Sequence, residues 1–574
     1  MTDRRAFLQF VMAAGGSCMH APLKAQEGME QFYDLPPFGN VTLLHITDLL
    51  DQWKPLYYRE PAGQILPESS ANRALTVSGD ELLQYYNLMI GSAQAYAFSS
   101  ADYEASSKDY GMLGGVAHLA TLIQIVRKTR KHAVLMDGGN GATTSWAPWA
   151  SKAAVARIRA ELNIDLALPD GELITDEMSD GTSGYIARNL VSKQNDERAL
   201  PPYSLIRRDG RIIAVVGQLA HNEARHPLTD TLESPDAQSA EACTEFDVQF
   251  DSAGLQKTVD EVRNKGAIAV VLLSRAGIDA DLQLAAHVTG IDVILGGRSL
   301  TPLPEPITVK NKNGKTLVTN AGAQGRFLGV MDMQIGKRGV LDFRYNLLPV
   351  VQSFLPADRK MDEQIRLAYE SGSENLGGKL SVTESLLYRR GSFNGSWDEL
   401  LLDAMVQHTG ADVAAFPGYR WGSTLLPGST ITLEDVVEQT ARGPEHIHVG
   451  TLDGVQIRNM LEAAAEDVFN RDPVQRTALD MLRTKGIDYT LLPEKGKGKR
   501  IADVMIGDHP LELEREYRIA GWGVDLGAEA SGEARVQDVL ANYLRQKKTV
   551  SIEKTFRPSL ADAEKTSERS EKSD

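Results

Sequence analysis

Cysteine is almost absent from this chain: its 574 residues contain two, Cys18 and Cys243. Cys18 falls in a stretch with the features of a leader, so one thiol remains for the mature chain and an intrachain disulfide framework is excluded. Cys243 stands in an acidic stretch without the cations that activate a thiolate. Positive charge is also short. Lys and Arg number 61 against 77 Asp and Glu, a formal net charge of −16, whereas nucleic-acid recognition needs a concentrated basic surface. After the leader, no stretch approaches the roughly 18 uninterrupted apolar residues of a membrane span. No internal repeat is present.

What is there is an ordinary α/β composition, 42% hydrophobic and 24% charged, in a chain too long for one hydrophobic core. Arg4-Arg5-Ala6-Phe7-Leu8, an apolar run over 10–16 and Leu23-Lys24-Ala25 read as a Tat-type signal over 1–25, which predicts a periplasmic protein. Over 39–347, short apolar runs alternate with helical patterns. After Gly114-Gly115, the residues Val116, Leu119, Ile123 and Val126 share one helical face, and Ala133-Val134-Leu135-Met136 reads as a buried strand. Further strands are expected at 41–46, 165–168, 212–216, 268–273 and 292–295. Several end in polar or Gly-rich loops, where α/β folds carry their sites. A helical connector over 348–378 leads to a second α/β unit over 379–553, and the charged tail 554–574 has a disordered composition.

Four blocks carry a resemblance: Leu44-His45-Ile46-Thr47-Asp48, Asp137-Gly138-Gly139-Asn140, Gly296-Gly297-Arg298-Ser299-Leu300 and Thr319-Asn320-Ala321-Gly322. In that order they resemble the calcineurin-like metallophosphoesterase and 5'-nucleotidase superfamily. Tyr110 to Leu119, Leu387 to Gly395, and Pro417-Gly418-Tyr419-Arg420-Trp421-Gly422 resemble its SoxB (thiosulfohydrolase) family more closely than the nucleotidases. The resemblance implies an N-terminal four-layer α/β/β/α sandwich and a C-terminal 5'-nucleotidase-type α/β domain. It also implies a site for two manganese ions, built from carboxylates and imidazoles that polarise the substrate and generate hydroxide.

Position by position, that site departs from the family. Asp48 matches the first ligand, but Leu50 stands where a His is implied and Asn140 where a bridging Asp is implied. Asp170 takes the place of the catalytic His, Arg275 that of a His after Leu-Ser, and Arg298 and Leu300 replace a His-x-His pair. A guanidinium has no lone pair to donate and leucine has nothing to coordinate. No metal cofactor is therefore expected. Two readings of the remnant stay open: Asp48, Asp51, Asp137, Asn140 and Asp170 hold one hard cation through oxygen, or Asp48 and Asp170 pair with Arg275 and Arg298.

His45 and His118 read as structural residues, and the His446-x-His448 pair lacks the companions of a zinc site. In the second half, the resemblance marks Arg389, Arg390, Phe393, Asn394, Arg420 and Trp421 as substrate-binding. Those residues stand beside a dismantled metal site. The expectation is a non-catalytic binding protein for a SoxYZ-type carrier, another Sox component or a sulfur oxyanion. The alternatives are an active SoxB-like hydrolase and a 5'-nucleotidase-like one.

Overall fold

The computed structural model describes residues 32–66, 72–140, 152–169, 184–220, 246–370, 376–441, 443–477, 479–527 and 530–561. The Tat-type stretch, Asp170 and Cys243 lie outside them.

Strict alternation sorts the first half into layers. In the strand Val41–Ile46, Val41 and Leu43 face one core while Leu44 and Ile46 face another, as the two-residue period of a strand requires. A five-stranded sheet runs Val340–Pro349, Phe327–Ile335, Val41–Ile46, Val134–Asp137, Leu166–Ala167. A six-stranded sheet runs Ile307–Asn311, Gly314–Asn320, Val293–Gly296, Ala267–Ser274, Arg211–Gln218, Tyr203–Arg208. Leu43 and Met136 of the first sheet meet Val215, Val271, Leu273 and Leu295 of the second in one core. On the outer face of the first sheet, Leu44 and Leu135 pack with Leu119, Leu122 and Ile123 of the helix Val116–Thr129. On the outer face of the second, Val270, Leu272 and Ile294 pack with the helices Ser252–Asn264 and Ile278–His287. The result is the expected α/β/β/α sandwich.

Val41–Ile46, Val134–Asp137 and Leu166–Ala167 run parallel in the first sheet, and Arg211–Gln218, Ala267–Ser274, Val293–Gly296 and Gly314–Asn320 in the second. Asp48, Asn140, Arg275 and Arg298 therefore all follow the carboxyl ends of strands, on one edge of the sandwich, where open α/β sheets place their ligands.

The helix Arg359–Glu370, expected within a connector, docks on this half by Met361, Ile365 and Ala368. The second half holds a five-stranded sheet, Asp480–Lys485, Val413–Gly418, Glu516–Gly521, His446–Asp453, Ser531–Arg535. Ser396–Thr409 and Val536–Arg545 cover one core, built on Trp397, Phe416 and Trp522. Gly454–Phe469 covers the other. The tail is ordered further than its composition implies. The Phe556 N–H donates to Glu399 Oε1 at 2.7 Å, its ring lies 6.0 Å from Tyr489, and Ser559–Leu560 pairs with Thr490 and Leu491. An aromatic anchor and a free strand edge outweigh the charged composition there. Among the described residues, no helix is long and apolar enough to cross a membrane.

Gly115 starts the helix Val116–Thr129 with φ +85, and a Cβ there would lie 2.8 Å from the Pro55 ring. Gly210 has φ +71 with open space around it. Gly210→Ala should cost about 1–2 kcal/mol, the left-handed penalty alone. Gly115→Ala should cost clearly more in urea unfolding, because a rigid ring must also move. Equal losses would show that Pro55 yields freely.

Candidate functional site

Asp48 is the centre of the strand-end edge. It is fully buried, and both carboxylate oxygens accept hydrogen bonds. Oδ1 accepts from Asn140 Nδ2 at 2.8 Å, and Oδ2 accepts from Thr47 Oγ1 at 2.9 Å and the Arg298 peptide N–H at 2.7 Å. Backbone bonds reinforce the loop: Asp48 N–H to Gly139 O, Leu50 N–H to Asn140 O and Gln324 N–H to Asp48 O. Asp137 ends the neighbouring strand, its Oδ1 accepting from the Gly139 N–H and its Oδ2 from Arg159 Nη2 at 3.2 Å.

The backbone around this carboxylate is left-handed at one residue after another. Asp48, Leu50, Asn140, Arg298 and Leu300 have φ of +50, +56, +60, +69 and +56. Asn and Asp tolerate that region, whereas leucine rarely enters it. Such strain persists only where the surroundings over-determine it, and it gathers at functional sites.

Those side chains do not fit a pair of manganese ions. Leu50 and Leu300 pack together with Ala323 and, from the second half, Trp421, as a small apolar group. The three donors on Asp48 occupy the oxygens a metal would take. The Arg275 guanidinium reaches the Pro169 carbonyl at 3.0 Å and crowds Gly139, where a Cβ would lie 2.7 Å from its Nη1. Among the described residues, no group of three or more His, Cys, Asp and Glu is placed to hold a metal ion. Of the expected arginine pairing, Arg298 serves Asp48 through its peptide N–H, and Arg275 favours the Asp48 anion from a distance.

The histidines take no part in this ring of contacts. His45 is fully buried, and desolvation holds it neutral, its pKa pushed down to about 3. His118 Nδ1 lies 2.7 Å from the Leu355 carbonyl. His446 and His448 sit two residues apart on an inner strand of the second sheet.

In the second half, the marked residues part company. Phe393 and Arg420 line a cleft between the halves. Arg420 Nε donates to Asp480 Oδ1 at 2.9 Å and its Nη2 to the Leu479 carbonyl. Trp421 lies 4.1 Å from the Tyr419 ring and reaches the Leu50 and Leu300 group instead. Arg389, Arg390 and Asn394 are buried away from the cleft. Arg389 pairs with Asp398 at 2.8 Å, and Asn394 Nδ2 donates to Glu399 and the Thr484 carbonyl.

The cleft has a free volume of about 110 Å³, below the range of about 300–1,000 Å³ usual for sites that enclose drug-sized ligands. Arg298 and Ile278 line it from the first half, and Phe393, Arg420, Asp467 and Phe469 from the second. An ion pair of 2.6 Å, Arg476 to Asp279, joins its two walls. The sequence reading missed Asp279, Asp467 and Arg476. Their spacing carries no signal, because they meet only when the halves pack.

Burial pushes the Asp48 pKa up to about 6, against the pull of Asn140, the Arg298 N–H, Thr47 and Arg275. The folded chain thus binds this proton more tightly than the unfolded chain. Stability from the group is full below about pH 4 and is lost as the pH rises through about 6. Asp48→Asn should therefore gain on the wild type by about 2–3 kcal/mol between pH 4 and pH 7, measured by urea unfolding. A difference that stays flat with pH would show that Asp48 titrates as it does in water.

The comparisons bear on the fold. A family model, the 5'-nucleotidase C-terminal domain, matches residues 388–532. The trifunctional nucleotide phosphoesterase YfkN of Bacillus subtilis is 26% identical over 58% of this chain, which spans only 22% of that protein. The 5'-nucleotidase of Bos taurus is 22% identical over 71% of this chain and 76% of its own length. Among solved structures, the sulfate thiohydrolase SoxB of Thermus thermophilus superposes with a TM-score of 0.84 at 29% identity, covering 92% of this chain and 98% of that one. A 5'-nucleotidase precursor, also from Thermus thermophilus, is 18% identical with a TM-score of 0.70 over 91% and 99%, and shares the fold. By its two-domain fold and its second-half match, the chain carries a 5'-nucleotidase C-terminal domain and is similar in fold and sequence to SoxB and to the 5'-nucleotidases.

Proposed function

We propose that this protein is an exported, SoxB-like binding protein that takes a small sulfur oxyanion, free or borne by a SoxYZ-type carrier, into the cleft between its halves. In this reading it does not hydrolyse its ligand through a metal pair. The observation that carries it is the apolar group of Leu50, Leu300, Ala323 and Trp421. It sits where the family resemblance puts imidazole ligands, and leucine has no lone pair to give. The cleft supports the binding half of the reading, since Arg298 and Arg420 line it from opposite walls. Guanidinium groups suit oxyanions by their planar fork of donors. The likeness to a sulfate thiohydrolase favours a sulfur ligand, and the Tat-type pattern favours a periplasmic location.

A second reading keeps the chemistry of the relatives. Asp48, Asp137 and Asn140 retain strand-end positions, and after exchanging their present donors they would suit one hard cation.

Two measurements on the purified protein separate the readings. Elemental analysis after expression in manganese- and zinc-supplemented medium should find well under one metal per chain. Incubation with a thiosulfonate-loaded carrier should release no sulfate. Two tightly held metals, or turnover, would establish the hydrolase.

Arg420→Ala should leave the fold intact, because Asp480 keeps Arg483 at 3.3 Å as a partner. Losing a charge-assisted contact of about 1.5–3 kcal/mol should weaken thiosulfate or sulfate binding roughly ten-fold or more by calorimetry. Unchanged affinity would make Arg420 part of the framework only.

A further inference from the structure

Behind the cleft wall lies a layer of buried arginines that the binding reading does not use. Arg326, Arg389, Arg390 and Arg483 are 0–3% exposed, and Arg420 stands at the layer's cleft side. Three carboxylates serve them. Glu60 accepts from Arg326 at 2.7 Å, Asp398 accepts from Arg389 at 2.8 Å and lies 3.2 Å from Arg483 Nε as an ion pair, and Asp480 accepts from Arg420 and Arg483. Arg420 also has the Asp467 carboxylate beside it, so five arginines face four carboxylates and one positive charge is in excess.

The excess is concentrated on one side chain. Among the described residues, none of the three Arg390 side-chain nitrogens has a hydrogen-bond partner, although each is buried. A guanidinium carries five N–H donors, and burying them unmet is among the least favourable arrangements a folded protein can hold. Tyr58 adds another donor: it is 2% exposed, and its hydroxyl is also without a partner. The Arg326 guanidinium lies 3.7 Å above the Tyr58 ring and keeps Nε and Nη2 unpartnered. Arg390 is the foremost charged neighbour acting on Tyr58. The acids that face Arg390, Asp480 and Glu60, already accept from other arginines.

We propose that Arg390, Tyr58 and Arg326 form a binding site for a small inorganic anion, a halide or a tetrahedral oxyanion, behind the cleft wall and separate from the cleft. An acceptor with no proton of its own satisfies the stranded donors and offsets the excess charge at once. A water molecule does only the first. The site stands beside the cleft through the chain itself: Ser392 and Phe393, just after Arg390, line the cleft wall with Asp480. This assignment does not depend on what the cleft binds.

The test uses the full mature protein, exchanged into sodium gluconate. Thermal unfolding is followed while chloride, bromide, sulfate or thiosulfate replaces gluconate at constant ionic strength. A ligand that binds only the folded state raises Tm with a saturable dependence on its concentration. Such a rise is expected with at least one of the four anions, and which one identifies the occupant as halide or oxyanion. Measured in the Arg420→Ala background, where oxyanion binding in the cleft is already weakened, Arg390→Met should raise the half-saturation concentration at least ten-fold. Crystals grown with bromide or thiosulfate provide a check free of folding effects, since the anomalous signal of bromine or sulfur should appear beside Arg390. No saturable rise with any anion, or a half-saturation concentration unchanged by Arg390→Met in that background, would each overturn the assignment.

Discussion

The Asp48 carboxylate ties together everything else at the working edge of this protein. It follows a strand of the first sheet, accepts from Asn140 at the end of the neighbouring strand, and accepts from the peptide N–H of Arg298 at the end of a strand in the second sheet. One buried acid thus joins both sheets at their carboxyl ends. Its backbone carbonyl also takes the Gln324 N–H, so the loops bearing Ala323 and Leu50 are positioned by the same residue. A buried carboxylate needs such a ring of donors to remain charged. The donors here are neutral ones, and the pKa near 6 reflects how incompletely they replace water.

Around that anchor, backbone and side chains point to different chemistries. Left-handed conformations at Leu50, Arg298 and Leu300 are those of loops that present ligands inward. The side chains they present are apolar or cationic. Leu50 and Leu300 meet each other and Trp421, so these strand-end loops form part of the contact between the two halves. Hydrophobic burial and the ion pair of Arg476 with Asp279 then hold the cleft walls together, and the cleft is left with arginines rather than imidazoles on its surface.

Charge is distributed unevenly across the second half. The chain as a whole is acidic, at −16, yet its interior near the cleft is rich in arginine. Asp398 and Asp480 each serve two of them. Sharing of this kind leaves the low-dielectric interior net positive, and an anion beside it feels less screening than one at an exposed surface. Both the cleft reading and the buried site draw on that field.

Much of the fold was legible in the sequence because its signals are local. Alternation in Val41–Ile46, the Gly114-Gly115 break before a helical period and the apolar run over 268–273 depend on neighbours a few residues apart, and each led to the element found. That the side chains of Leu50, Arg275, Arg298 and Leu300 have no lone pair to give a metal is also legible, since coordinating power is a property of the side chain alone. The tail misled: its charge outweighed Phe556 in composition but not in packing. Arg389, Arg390, Phe393 and Asn394 stand within one short block, yet only Phe393 reaches the cleft. Arg298 contacts Asp48 through a peptide N–H that no side-chain pattern can announce. The sequence by itself determined the layers and the strand-end loops. Tertiary structure alone decided that Leu50, Leu300 and Trp421 share one apolar group, that Arg476 meets Asp279, and that Arg390 is buried without a partner, because these relations join segments far apart in the chain and exist only once the two halves have packed.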